Sequence, residues 1–234
     1  MNKIQFHNKN FEVEVRDALQ IYDREITQDD ALKLYGLECS NFTFDAEDCE
    51  TLCLFKNLDR LDINIGFENL SFLEKLQNLE VLYIEFYRQK FDCDYLTPLK
   101  KLEVLTISGG DVSGFVFHNF EKIAKLPSLK SLGLHEFGSV DLTSLKDMHY
   151  LKDFFCGYGN NVHNIEEISN LRNLKSLRLI DLVLPNLNFL RTLPSDMFLE
   201  LCGIEILEEV NLLELELFEK RDISEIKVNG KMIL

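Results

Sequence analysis

The nine residues LRNLKSLRL, Leu171–Leu179, place leucine at the first, fourth, seventh and ninth positions. The same frame recurs along the chain. It reads Phe55-Leu58-Leu61-Ile63, Leu76-Leu79-Leu82-Ile84, Leu99-Leu102-Leu105-Ile107, Leu126-Leu129-Leu132-Leu134, Met148-Leu151-Phe154-Cys156 and Leu171-Leu174-Leu177-Leu179. Leu34-x-x-Leu37-x-Cys39 is a plausible opening unit. After Leu179 only the final pair survives, as Leu199-x-Leu201, Leu215-x-Leu217 and Ile226-x-Val228. Between successive final pairs the spacings are 24, 21, 23, 27, 22, 23, 22, 16 and 11 residues. One continuous helix needs an apolar residue every three or four positions throughout. Here that spacing breaks into period 2, the mark of a short strand whose alternate side chains face one way.

A single unit of this kind cannot bury its own leucines, so neighbours must stack. Each unit then contributes one short strand with its final pair facing inward. The chain returns over the convex side and lays the next strand parallel to the last. The expected fold class is α/β: a solenoid with a parallel concave sheet.

The frame resembles that of the leucine-rich repeat family over residues 34 to 228, and the six middle units carry the resemblance. The resemblance implies a right-handed superhelix. The family usually has Asn three residues beyond the last strand leucine. Here that place holds Gly66, Tyr87, Gly110, Phe137, Gly159, Leu182 and Ile204, so the turns must be satisfied another way. Upstream, Phe11, Val15-Arg16-x-Ala18-Leu19, Ile26-Thr27 and Leu34-x-x-Leu37 resemble the helical N-terminal cap of bacterial internalin-like proteins. Two short helices are expected there. Thr27 is a suitable N-cap, with Asp29 and Asp30 in the first turn. At the other end Asn229-Gly230 lies between apolar runs, a hairpin signal, and the hairpin would cover the last open sheet edge. These readings give one domain over 1–234: a helical cap at 1–36, repeats at 37–218 and a closing cap at 219–234.

The net charge is −15 and unevenly spread. Residues 12–50 hold twelve acids and three bases, and residues 200–225 hold nine acids and two bases. Two acidic ends argue against nucleic acid and anionic membrane as partners, since both require a basic footprint. They suit solubility, and also attraction to a basic protein. No 18-residue apolar run is present, and the N-terminus MNKIQFHNKNFEVEV lacks the apolar core of a signal peptide, so a cytoplasmic protein is expected. The six cysteines form no CxxC pair. Cys39 and Cys156 stand where the frame wants a buried apolar residue. Cys49 and Cys53 would share a helix face.

Known catalytic patterns are missing. SGGDVSG, Ser108–Gly114, lacks the GK[ST] of a phosphate loop and reads as a turn. None of the five histidines has a partner at metal-ligand spacing, and no G-x-S-x-G occurs. HNIEE, His163–Glu167, reads as a convex-side turn entering a helix. No enzyme, cofactor or metal is therefore expected. What remains is the outward row of the sheet: Asp62 and Asn64, Tyr83 and Glu85, Thr106 and Ser108, His135, Asp153 and Phe155, Arg178 and Ile180, Phe198 and Glu200, then Glu214, Glu216 and Phe218. A merely solvated face would be polar throughout. This one mixes aromatics and Arg with acids, the composition of interfaces. The expected protein-binding residues are Asp62, Tyr83, Glu85, His135, Asp153, Phe155, Arg178, Phe198 and Glu200. The expected partner is a protein or peptide, a basic one on the charge argument. The alternative is an acidic inhibitor or immunity-type protein that neutralises a basic enzyme.

Overall fold

Nine strands lie side by side in one parallel sheet in a computed structural model that describes residues 2–110, 112–208, 220–224, 227–228 and 230–232. They are β1 (Gly36–Phe44), β2 (Arg60–Ile65), β3 (Val81–Phe86), β5 (Val104–Ser108), β7 (Ser131–His135), β9 (Asp153–Gly157), β11 (Ser176–Ile180), β13 (Phe198–Cys202) and β15 (Lys220–Ser224). Between them the chain makes shorter strands on the far side. β4 (Lys90–Asp92), β6 (Val116–His118), β8 (Ser139–Asp141) and β10 (Asn161–His163) form one small sheet. β12 (Val183–Leu184), β14 (Glu205–Ile206), β16 (Lys227–Val228) and β17 (Lys231–Met232) form another.

Register in the main sheet follows the leucine frame. Leu61, Leu82, Leu105, Leu132, Phe154, Leu177 and Leu199 make one row, and Ile63, Ile84, Ile107, Leu134, Cys156, Leu179 and Leu201 the next. None of these fourteen is more than 2% exposed. The remaining leucines of the frame continue a period of three upstream. Ile165, Ile168, Leu171 and Leu174 lead into Leu177, and all are buried. A period of three is that of the 3₁₀ helix, whose side chains at i and i+3 eclipse. Accordingly, the convex side consists of 3₁₀ segments: Ser71–Lys75, Cys93–Leu96, Phe120–Lys125, Thr143–Asp147, Ile165–Asn170 and Asn188–Thr192.

The missing Asn at the turns is replaced in two ways. Phe137, Leu182 and Ile204 occupy the Asn position as buried core residues. The turn amides instead donate to the neighbouring strand: Glu136 N to Gly157 O, Tyr158 N to Ile180 O and Asp181 N to Cys202 O, at 3.2, 2.9 and 2.8 Å. To reach those carbonyls, Glu136, Tyr158 and Asp181 take positive φ.

Three helices precede β2: α1 (Lys9–Leu19), α2 (Gln28–Ala31) and α3 (Ala46–Leu52). Asn8 caps α1, whose Phe11 packs on Phe44 and Phe55 at ring distances of 4.9 and 6.1 Å. Thr27 caps the single turn of α2, with Asp30 closing a capping box. Arg24 grips Asp30 through two hydrogen bonds, 2.6 and 2.9 Å, and holds its carboxyl well below the usual carboxylate range. Cys49 lies in α3 and Cys53 caps its end; all six thiols are unpaired.

The C-terminal rungs depart from the expected pattern. The rung after β13 is β15, with Leu199 beside Arg221 and Leu201 beside Ile223, a spacing of 22 residues. Arg221 holds a leucine place, so a search for apolar pairs passes over it. Leu215-x-Leu217 and the outward residues Glu214, Glu216 and Phe218 lie outside the described residues. Val228 belongs to a small sheet. There β16 pairs antiparallel with β17 around Gly230 in a hairpin, away from the edge of the main sheet.

Candidate functional site

The outward side chains of the main sheet form the concave face. One residue per main-sheet strand from β1 to β13 makes its central row: Glu38, Asp62, Tyr83, Thr106, Gly133, Phe155, Arg178 and Glu200. Asn64 was expected beside Asp62 on this face but is only 6% exposed, and its Nδ2 donates to Ser40 O at 2.9 Å. An irregularity in β1 between Cys39 and Thr43 brings that backbone over it.

Gly133 interrupts the row. Without a side chain it leaves a groove of about 380 Å³, walled by Tyr83 and Thr106 on one flank and Phe155 and Arg178 on the other. A Cβ at Gly133 would stand 2.9 Å from Thr106 Oγ1 and 3.4 Å from His135 Nε2. Five of the expected binding residues line this groove: Tyr83, His135, Asp153, Phe155 and Arg178. Asp62, Glu85, Phe198 and Glu200 lie on the flanking strands.

The walls mix aromatic side chains with polar and charged ones. His135 stacks on Phe155 with ring centres 4.0 Å apart, 12° from parallel. Burial pushes its pKa below the usual imidazole value, so at neutral pH it is an uncharged packing group. Tyr158 stands 6.4 Å from both rings, on the rim. Its φ of +59° is an unusual conformation for a bulky side chain, and its exposed ring adds a third aromatic to the stack.

Charge on this face is mostly acidic. Its two described arginines are engaged: Arg60 with Glu38 at 3.5 Å and over the Tyr83 ring, and Arg178 with Glu200 at 3.3 Å and over the Phe198 ring. Asp62, Glu85 and Asp153 have no ion pair among the described residues. Burial, then the nearby Glu38 carboxylate, raises the pKa of Asp62. Among the described residues no three His, Cys, Asp or Glu gather as metal ligands.

Gly133 and Tyr158 were missed in the sequence. The signal for Gly133 was available, because a glycine between two inward leucines leaves an outward gap. Nothing in the sequence marks Tyr158, whose place depends on the turn geometry.

No family model matches this sequence, and no curated protein matches it significantly. Solved structures do match. Internalin C2 from Listeria monocytogenes superposes with a TM-score of 0.68 over 94% of each chain, at 17% identity. A second internalin from the same organism gives 0.68 over 95% of this chain and 64% of its own, also at 17% identity. The chain has the leucine-rich repeat fold. A third leucine-rich repeat structure, the ectodomain of the Arabidopsis thaliana membrane receptor kinase GASSHO1/SCHENGEN3, was solved in complex with Casparian strip integrity factor 2. It gives a TM-score of 0.54 over 87% of this chain and 26% of that one, at 18% identity. In this leucine-rich repeat fold the concave groove lies over β7, the middle strand of the main sheet.

Proposed function

We propose that this protein is an interaction module, without catalysis, that grips an extended, basic protein segment along its concave face. The observation that carries the reading is the Gly133 groove: a gap in the floor walled by Tyr83, Phe155 and His135, with Asp62, Glu85 and Asp153 beside and around it, none of them ion-paired among the described residues. A small or aromatic residue of the segment would sit over Gly133, and its basic neighbours would meet Asp62, Glu85 and Asp153. Ordered aromatics supply contact area at low entropic cost, and acids at the rim supply steering. The receptor ectodomain that shares the fold, and was solved with a bound factor, supports a protein partner. A cytoplasmic setting is part of the proposal, and the six unpaired thiols suit it. The acidic face also fits the narrower role of neutralising a basic enzyme, whose association would then slow steeply with salt.

Selection of short random peptides on the immobilised protein tests the reading. Enriched sequences should carry Lys or Arg around a small or aromatic residue. Tyr83→Ala with Phe155→Ala should weaken them by about tenfold or more. No enrichment, or binding indifferent to both substitutions, would remove the concave face as the site.

A further inference from the structure

The residues immediately ahead of the main-sheet strands from β2 to β11 form a second row, along the edge where the strands begin. These residues are Asp59, Glu80, Glu103, Lys130, Lys152 and Lys175. Their backbones are locked in step. Asp59 O accepts from Glu80 N and Val81 N, at 2.7 and 2.9 Å. The same paired acceptance repeats at Glu80, Glu103, Lys130 and Lys152. The six side chains therefore advance one strand at a time, about 4.8 Å per step. The first three are acids and the last three are bases.

Within one molecule this order is unfavourable. Like charges on adjacent strands repel. Only where the sign changes, at Glu103 and Lys130, do neighbours in the row pair. Lys175 reaches Asp196 at 3.6 Å, while Asp59, Glu80 and Lys152 have no ion pair among the described residues. Glu80, Lys152 and Lys175 are exposed. The lysines nearby have local roles. Lys101 donates to Asn78 Oδ1 at 2.7 Å, and Lys75, Lys125 and Lys146 lie in the last turns of 3₁₀ segments, where a cation answers the carbonyl end.

We propose that this edge is a self-complementary interface with a second copy of this chain. A two-fold axis along the sheet normal, between β5 and β7, sets Glu103 against Lys130 of the second copy. The same axis sets Glu80 against its Lys152 and Asp59 against its Lys175. Such an interface is isologous, with every contact made twice. A polyanion would answer the lysines but would meet three acids on the same edge, and a basic partner would meet the reverse. Only a copy of the chain answers both halves of the row. The axis also leaves both concave faces open and turned to the same side.

Sedimentation equilibrium at low and high salt, across a concentration series, provides the test. The expected result is a dimer at low salt that dissociates as salt rises. Glu80→Lys alone and Lys152→Glu alone should each weaken it by about tenfold, because each turns two facing pairs repulsive. Mixing the two variants should restore a heterodimer. One copy then carries bases at positions 80 and 152 and the other carries acids at both, so each of the two facing pairs again joins opposite charges. Circular dichroism should be unchanged, both side chains being exposed. A monomer under all conditions, or a dimer indifferent to the reversals, overturns the proposal. A monomer that binds heparin through Lys152 replaces it with a polyanion site.

Discussion

Phe155 lies between core and surface. It is half-buried, stacked on His135 and close to Tyr158, yet it faces the groove. Replacing it together with Tyr83 by alanine should cost about 1–2 kcal/mol. Leu132→Ala, in the row beneath, should cost about 3 kcal/mol. At about 2–4 °C per kcal/mol for a chain of this size, thermal melts separate the two outcomes. Two carboxylates near the N-terminal end of the solenoid, in α2 and α3, titrate in opposite senses. Asp30, held by Arg24, has a folded pKa below its unfolded value near 3.8, so it stabilises the fold above that value and loses the contribution as pH falls through the acid range. Asp30→Asn should therefore cost about 1–3 kcal/mol at neutral pH, with a deficit that shrinks below about pH 4. Asp48 is buried with one oxygen unpartnered among the described residues, and burial raises its pKa. Its protonation favours the fold at low pH, a contribution lost as pH rises through its folded pKa, so Asp48→Asn should flatten the curve in the opposite direction. Urea midpoints across pH would separate the two.

Neighbouring repeats are tied together by a ladder of side chains just ahead of the strands. Asn57, Asn78 and Asn173 each donate Nδ2 to a carbonyl of the preceding repeat, Leu32 O, Lys56 O and His149 O, at 2.6, 2.9 and 2.7 Å. Ser128 does the same to Lys100 O at 2.9 Å. The signal is Asn-Leu at the second leucine of three repeats, ahead of the strand and not in the turn beyond it, where the repeat usually places its Asn. Asn78→Ala and Asn173→Ala should each cost about 1 kcal/mol. Because the two ties lie in separate repeats, the costs should add within about 0.5 kcal/mol in chemical denaturation. Strands and 3₁₀ segments were legible for a simple reason: period 2 and period 3 put apolar residues on one side of each. Ile165 to Leu177 illustrates it, one apolar residue every third position until the strand begins. The rung at Lys220–Ser224 was not legible, because Arg221 breaks the apolar rule while backbone pairing keeps the register.

Stability of the whole molecule is set by stacking, since each repeat has only its neighbours to pack against. Hydrogen exchange should be slowest in the middle rungs, β3 to β11, and fastest in α2 and the β16–β17 hairpin. Equal protection from end to end would show a single cooperative unit instead. The solenoid follows from the sequence alone: leucines repeating near every 22 residues cannot be buried except by stacking. So does the acidic balance, a simple count of side chains. The tertiary structure decided where the groove lies and which charges stand in line. Gly133 becomes a gap only because Tyr83, Thr106 and Phe155 reach the same row from other strands. The row from Asp59 to Lys175 has meaning only because hydrogen bonds bring residues 21 to 27 positions apart onto adjacent strands. A repeat period specifies what is buried within each unit. Which outward side chains meet across units depends on register, which backbone pairing sets.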